Sequence, residues 1–196
     1  MSIHSLHFTG PDLGPCVLGQ PMLAHYGETH IGTLDPVPVS RGGTQMRIEH
    51  FKPAGTEASR HLHKAKIGRV LLPMLVAFIA EHFSSITLVQ ISLARDIEGY
   101  GEGFRLAAER AAVLQAMGAG RILITPMPDT QRMGHFVVAG VWEYKQANLA
   151  ALAATLQNEW AAFEERQAAA ARGPSRKRRW FFARRPLNGG ARWPRR

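Results

Sequence analysis

The sequence has one cysteine, Cys16, among 196 residues. An intramolecular disulfide is therefore impossible, and a cysteine zinc cluster is excluded. Long apolar runs are also missing. The longest, Val70 to Phe83, is interrupted by Pro73, Glu81 and His82 and is too short to span a bilayer. The first residues, MSIHSLHFTGPDLGP, have neither a basic start nor an apolar centre, so no Sec signal peptide is expected. The expected location is cytoplasmic, with export by a signal-peptide-independent route as the alternative. No internal repeat is visible.

Acidic residues are absent from one end. From Arg172 to Arg196 there are ten Arg or Lys and no Asp or Glu. The formal net charge is +9 from 24 basic and 15 acidic side chains, so the chain before Arg172 is left with a net charge of −1. The body is neutral and the tail carries the whole excess. Any attraction to polyanions is expected from the tail alone. The apolar fraction, 45%, suffices for a core.

Three parts are expected. Residues 1–43, rich in Gly, Pro, Ser and Thr, read as short strands or an irregular arm. Residues 44–171 read as an α/β domain. Thr44 to Phe51 alternates like a half-exposed strand, and residues 52–66 read as a loop with at most a helical turn. Val70 to Phe83 is apolar on nearly every side, as in a buried helix. Pro73 requires that helix to begin near Arg69 or later, or to carry the proline inside it. Ser85 to Ala94 and Arg121 to Thr125 read as strands buried on both faces. Phe104 to Met117 is an amphipathic helix, and His135 to Tyr144 a strand antiparallel to its predecessor. Lys145 to about Ala171 forms a long helix with a stripe of Leu149, Leu152, Leu156, Trp160 and Phe163. Residues 172–196 read as a disordered basic, aromatic-containing tail. The order strand, helix, strand, helix, strand, strand, helix predicts an α/β fold with a mixed β-sheet flanked by helices.

Residues 63–72, HKAKIGRVLL, pose the functional question. Ile67, Gly68, Arg69, Leu71 and Leu72 stand as in I-G-R-x-L-L. This stretch and the element order resemble the acetyl-CoA-dependent N-acetyltransferase (GNAT) superfamily over roughly residues 44–144. In that family the loop R/Q-x-x-G-x-G/A opens a helix and its amides hold the cofactor pyrophosphate. Free N–H groups and a helix dipole attract such an anion. The resemblance would assign cofactor binding to Lys66, Gly68 and Arg69, and a general-acid role to Tyr100. It departs from the family at His63, where Arg or Gln belongs, and at Lys66, which replaces a glycine. Alternatively, these cations are solvated charges beside a buried helix.

A second glycine stretch, RDIEGYGEGF, is similar to the loop of S-adenosylmethionine-dependent methyltransferases through Gly99, Gly101 and Gly103. Its acids Asp96, Glu98 and Glu102 repel phosphate, and too little chain follows for that fold. No metal site is expected: His61 and His63 lack a third ligand at a suitable spacing. In the tail, Arg176, Lys177, Arg178, Arg179, Arg184 and Arg185 interleave with Trp180, Phe181, Phe182 and Trp193. That mixture suits nucleic acid or an anionic membrane. It also resembles the arginine-rich C-terminal signals of type IV secretion substrates. The leading expectation is a bacterial accessory or effector-type interaction protein that needs no cofactor and meets a polyanion or a protein partner through its tail. The alternatives are an N-acyltransferase using acetyl-CoA and a nucleic-acid binder acting through the tail.

Overall fold

The structure, a computed structural model, describes residues 6–34, 42–49, 51–95, 100–127 and 135–172. It is an α/β fold with two four-stranded sheets and four α-helices among the described residues. Sheet A contains β1 (Leu6–Thr9), β2 (Met22–Tyr26), β3 (Thr29–Leu34) and β5 (Phe51–Pro53), all antiparallel in the order β1-β2-β3-β5. Sheet B contains β4 (Gln45–Ile48), β6 (Leu88–Arg95), β7 (Gly120–Pro126) and β8 (Phe136–Glu143) in the order β4-β6-β8-β7. In sheet B, β4 and β6 are parallel, and β8 is antiparallel to both of its neighbours. The helices are α1 (Glu57–Lys64), α2 (Gly68–His82), α3 (Tyr100–Ala116) and α4 (Gln146–Ala171).

The stretch expected as short strands or an irregular arm supplies β1, β2 and β3. Leu6, Phe8, Met22, Ala24, Ile31 and Leu34 join one core with residues from the rest of the chain. The strand expected over Thr44 to Phe51 is two pieces. Ile48 pairs with Ile91 in sheet B, whereas Phe51 pairs with Leu34 in sheet A. The chain therefore crosses between sheets within three residues. One glycine permits the second pairing. A Cβ on Gly32 would lie 2.3 Å from the Phe51 ring and 2.6 Å from the Lys52 carbonyl oxygen, so only hydrogen fits where β3 and β5 meet.

Residues 57–64, expected to lie in a loop, form a helix. Thr56 caps it in an extended conformation, its side chain accepting from the Ser59 amide at 3.2 Å. The Ser59 hydroxyl and a His63 ring nitrogen each lie 3.0 Å from the Ile31 carbonyl, which fastens α1 to β3. Helix α2 starts at Gly68 and carries Pro73 inside, so the Arg69 carbonyl has no amide four residues on to receive. Val70, Leu71, Leu75, Val76 and Ile79 are buried, as the apolar run predicts.

Sheet B is buried on one face only, which corrects the expectation of doubly buried strands. Along β8, Phe136, Val138, Gly140 and Trp142 are buried and the alternate residues half-buried. Gly140 lies against Leu114 of α3, and the Trp142 indole donates to the Met117 carbonyl at 2.9 Å, so the buried face is the α3 side. Along β6, Val89 and Ile91 are buried while Gln90 and Ser92 are half-buried. Strand β7 forms one edge of the sheet, and its Leu123 is 63% exposed. Helix α4 packs its stripe inward: Leu152 and Phe163 are buried, and Phe163 meets the Tyr26 ring edge-on at 5.7 Å. Burying a side chain of that size contributes on the order of 2–3 kcal/mol.

Candidate functional site

Lys66, Gly68 and Arg69 sit together at the joint between α1 and α2. The local sequence makes this joint a helix stop followed directly by a helix start. Lys66 has φ +64°, the left-handed conformation that closes many helices. The Ile67 amide donates to the Leu62 carbonyl at 3.1 Å and the Lys66 amide to the His63 carbonyl at 2.9 Å. These are the two bonds of a Schellman motif, and its usual apolar contact is available because Leu62 and Ile67 are both buried. The new helix then begins at once, with Arg69 donating to the Lys66 carbonyl and Val70 and Leu71 to Ile67. The amides of Ala65, Lys66, Ile67, Arg69, Val70 and Leu71 all point to carbonyls within residues 61–67.

The side chains are equally occupied. Lys66 Nζ lies 3.0 Å from Glu109 Oε2 of α3. Arg69 grips Glu159 of α4 with two bonds, Nη2 to Oε1 at 2.6 Å and Nε to Oε2 at 2.8 Å. It also reaches Glu109 at 3.8 Å. Arg105 of α3 binds Glu109 and lies 3.8 Å from Glu102. Here three cations face three carboxylates. The hydrogen bond from Lys66, reinforced by the nearby charges, holds the Glu109 carboxyl below its ordinary range despite partial burial. The bond to Glu159 likewise pushes Arg69 further into its charged form. From α4, Arg166 donates Nε–H to the Ala65 carbonyl at 2.8 Å, while its buried Nη2 has no hydrogen-bond partner among the described residues.

The joint thus ties α1, α2, α3 and α4 together. An anion arriving there would have to displace carboxylates and break backbone bonds already made. Glu109, Glu159 and Arg166 were invisible to sequence reasoning. They lie 43, 90 and 101 residues from their partners, and no local pattern couples such positions.

Tyr100 is the first residue of α3, with Gly101 and Gly103 in its first turn. Gly99 lies outside the described residues, as do Arg176, Lys177, Arg178, Arg179, Arg184 and Arg185. Two concavities are present elsewhere. An apolar groove of about 350 Å³ runs between α2 and α4 beside Ala77, Leu149, Leu152 and Tyr144. A smaller one of about 200 Å³ lies beside Gly118, Arg121 and Lys145. Neither is lined by Lys66, Gly68 or Arg69.

One backbone feature stands open. Strand β6 pairs with β4 only as far as Ile91, because the chain then leaves for sheet A. Ser92 to Arg95 pair with β8 alone among the described residues. Beyond Ile91, β6 continues in sheet B while the strand that follows β4, β5, lies in sheet A. Among the described residues, as their side chains stand, no group of three His, Cys, Asp or Glu converges to hold a metal. No described helix is long and apolar enough to cross a membrane.

No protein-family model matches the sequence, and no curated protein matches it. Solved structures give weak matches. A candidate acetyltransferase of the GNAT family from Desulfovibrio desulfuricans aligns over 63% of this chain and 67% of its own, at 16% identity and TM-score 0.36. A second candidate acetyltransferase aligns over 80% of this chain and 66% of its own, at 13% identity and TM-score 0.39. A third, from T. thermophilus, aligns over 72% and 65%, at 14% identity and TM-score 0.38. The chain spans about two thirds of the length of each of these proteins. In its fold, this chain bears a weak resemblance to these proteins, one of which is described as of the GNAT family.

Proposed function

We propose that the protein is an interaction protein in two parts: an α/β domain that does not use residues 63–69 to hold a cofactor, and a basic tail that binds polyanions. The observation that carries this reading is the closure of the α1–α2 joint. The amides of Ala65, Lys66, Ile67, Arg69, Val70 and Leu71 are bonded to carbonyls within residues 61–67, and Lys66 and Arg69 are paired with Glu109 and Glu159. Elsewhere on the domain Arg47 pairs with Glu49 and Lys145 with Glu143. With these cations matched and a net charge of −1 over residues 1–171, the domain has little net attraction for phosphate. The ten Arg and Lys of residues 172–196 have no acidic neighbour in sequence.

The test is truncation after Ala171. Filter binding of the full chain to a DNA duplex should weaken steeply with salt, because each phosphate contact releases counterions. Six such contacts correspond to a slope of about −5 in log K against log salt. The truncated chain should stay folded and lose that affinity. A liposome sedimentation assay with anionic lipid distinguishes nucleic acid from membrane. Full affinity in the truncated chain would sink the division of labour.

A second reading, an acyl-CoA-dependent N-acyltransferase, is favoured by the second half of β6, where Ser92 to Arg95 pair with β8 alone among the described residues. There β6 has backbone groups that no described strand pairs, and an extended, amide-bearing ligand could lie beside them. In this reading the chemistry comes from acetyl-CoA, with Tyr100 as acid. Thermal unfolding with coenzyme A separates the two. A ligand at one hundred times its Kd stabilises by about 2.7 kcal/mol, a shift of several degrees. We expect no shift at 1 mM coenzyme A; a clear shift, lost in Gly68→Asp, would establish the second reading.

A further inference from the structure

Among the described residues, sheet B ends in β4 and β7, and sheet A in β1 and β5. The free amides and carbonyls of an edge strand invite another strand, and charge, proline or shortness discourages it. Three of these edges are guarded. β4 carries Arg47, β5 has Lys52 and Pro53 among its 3 residues, and β1 is 4 residues long with His7 exposed. β7 differs. Its charge, Arg121, and its proline, Pro126, sit near the ends, and between them run Ile122, Leu123, Ile124 and Thr125. Leu123 is 63% exposed, and Met127, on the same face just past the strand, 42%. We propose that β7 is a dimerisation edge: it pairs antiparallel with β7 of a second copy about a twofold axis at Leu123, which joins two copies of sheet B into one continuous sheet.

The backbone fixes the register. The Met127 amide donates to the His135 carbonyl, just before β8, at 2.9 Å. Alternation by two then turns the backbone groups of Leu123 and Thr125 toward β8 and those of Ile122 and Ile124 away from it. A twofold at Leu123 sets Ile122 of one copy against Ile124 of the other, and all of these outward N–H and C=O groups find partners. A twofold at Ile124 would instead set Ile122 against Pro126, which has no N–H to donate. The side chains select the same partner. Leu123 and Thr125 pair with Ala139 and Val137 on the open face of sheet B, while Ile122 and Ile124 pack on the core on the other face. An incoming strand must therefore be apolar on both of its faces. A second β7 meets that requirement, with Leu123 on Leu123 and Ile124 on Ile122. β7 holds no acidic residue and one basic residue, so the edge favours an uncharged strand over a charged peptide. In this register each Arg121 stands opposite Thr125 of the other copy, and the two arginines are about 13 Å apart along the strands.

The experiment is sedimentation velocity of the full chain, freed of nucleic acid and kept in high salt, over a wide concentration range. A strand edge buries less than a standard interface, so a reversible dimer with a Kd on the order of 10–100 μM is expected. Leu123→Lys sets two ammonium groups against each other at the axis and should weaken the dimer at least tenfold. The position is exposed, so the variant should fold, and circular dichroism establishes that it does. Cross-linking reads the register. Cys16→Ser leaves a chain free of cysteine. On that background Leu123→Cys should form a disulfide-linked dimer under mild oxidation, because opposite residues at a non-hydrogen-bonded position bring their Cα atoms to about 4.5 Å. Thr125→Cys should not, since its two copies stand about 13 Å apart along the strands. A monomer at every concentration up to about 500 μM, several times the weakest expected Kd, would overturn the proposal. So would an unweakened dimer in folded Leu123→Lys, or cross-linking at Thr125→Cys equal to that at Leu123→Cys.

Discussion

Lys66 stands in the left-handed conformation where the resemblance to the GNAT loop would have placed glycine. Comparing glycine and alanine at this position tests the described joint. For a residue with a Cβ, the conformation costs roughly 1–2 kcal/mol. Glycine escapes that strain but loses about 0.4–1 kcal/mol through the greater freedom of the unfolded chain. Both replacements lose the ion pair with Glu109 equally. Lys66 is 43% exposed and Glu109 27% exposed in that pair, so solvent screening limits its worth to a few tenths of a kcal/mol. Lys66→Ala should therefore be less stable than the parent by about 0.5 kcal/mol. Lys66→Gly should exceed Lys66→Ala by roughly 0.5–1 kcal/mol and match or pass the parent. The order is the reverse of that in a helix interior, where glycine falls about 1 kcal/mol below alanine. Urea unfolding followed by circular dichroism gives both differences from the midpoints if the slopes agree. An alanine variant at least as stable as the glycine variant would refute the left-handed turn, and with it the closed joint on which the functional reading rests.

Two more perturbations address how the sheets meet and how His25 behaves. Gly32→Ala should cost about 1–3 kcal/mol in chemical denaturation, because the new methyl meets the Lys52 backbone oxygen, which cannot rotate away; a neutral result would mean that β3 and β5 do not pair as described. His25 is held below its ordinary value first by burial and then by His7 and His30, so the unfolded chain takes up its proton more readily than the folded one. Stability should rise with pH as that proton leaves the unfolded chain, up to about pH 6.5, and fall as pH drops below it. Thermal melts between about pH 5 and 7.5 should show the loss, and His25→Gln should flatten it. This range lies above the carboxylate region where the depressed Glu109 contributes a loss of the same sign.

Local chemistry in the sequence determined much of the framework. The apolar run of α2, the stripe of α4 and the glycine after α3 mark helices because their signals repeat within a few residues. The partition of charge at Arg172 is likewise a property of composition. Helix α1 was partly legible: Thr56 is a good cap, but the segment from Glu57 to Lys64 has only Leu62 as a large apolar anchor, too weak a stripe to declare a helix. The early strands were obscured by turn residues around short segments, and their identity depends on pairing with one another and with β5. The open face of sheet B could not be read from β6, because a run rich in Ile, Val and Leu looks alike whether one face is covered or two. Tertiary structure alone decided the rest. Lys66 and Arg69 turned out to be occupied because Glu109 and Glu159 arrive from α3 and α4 to pair with them. His7, His25 and His30 became neighbours because strand register aligned them. Periodicity is written into a chain by adjacent residues, whereas register and long-range ion pairs depend on the path the chain takes between them.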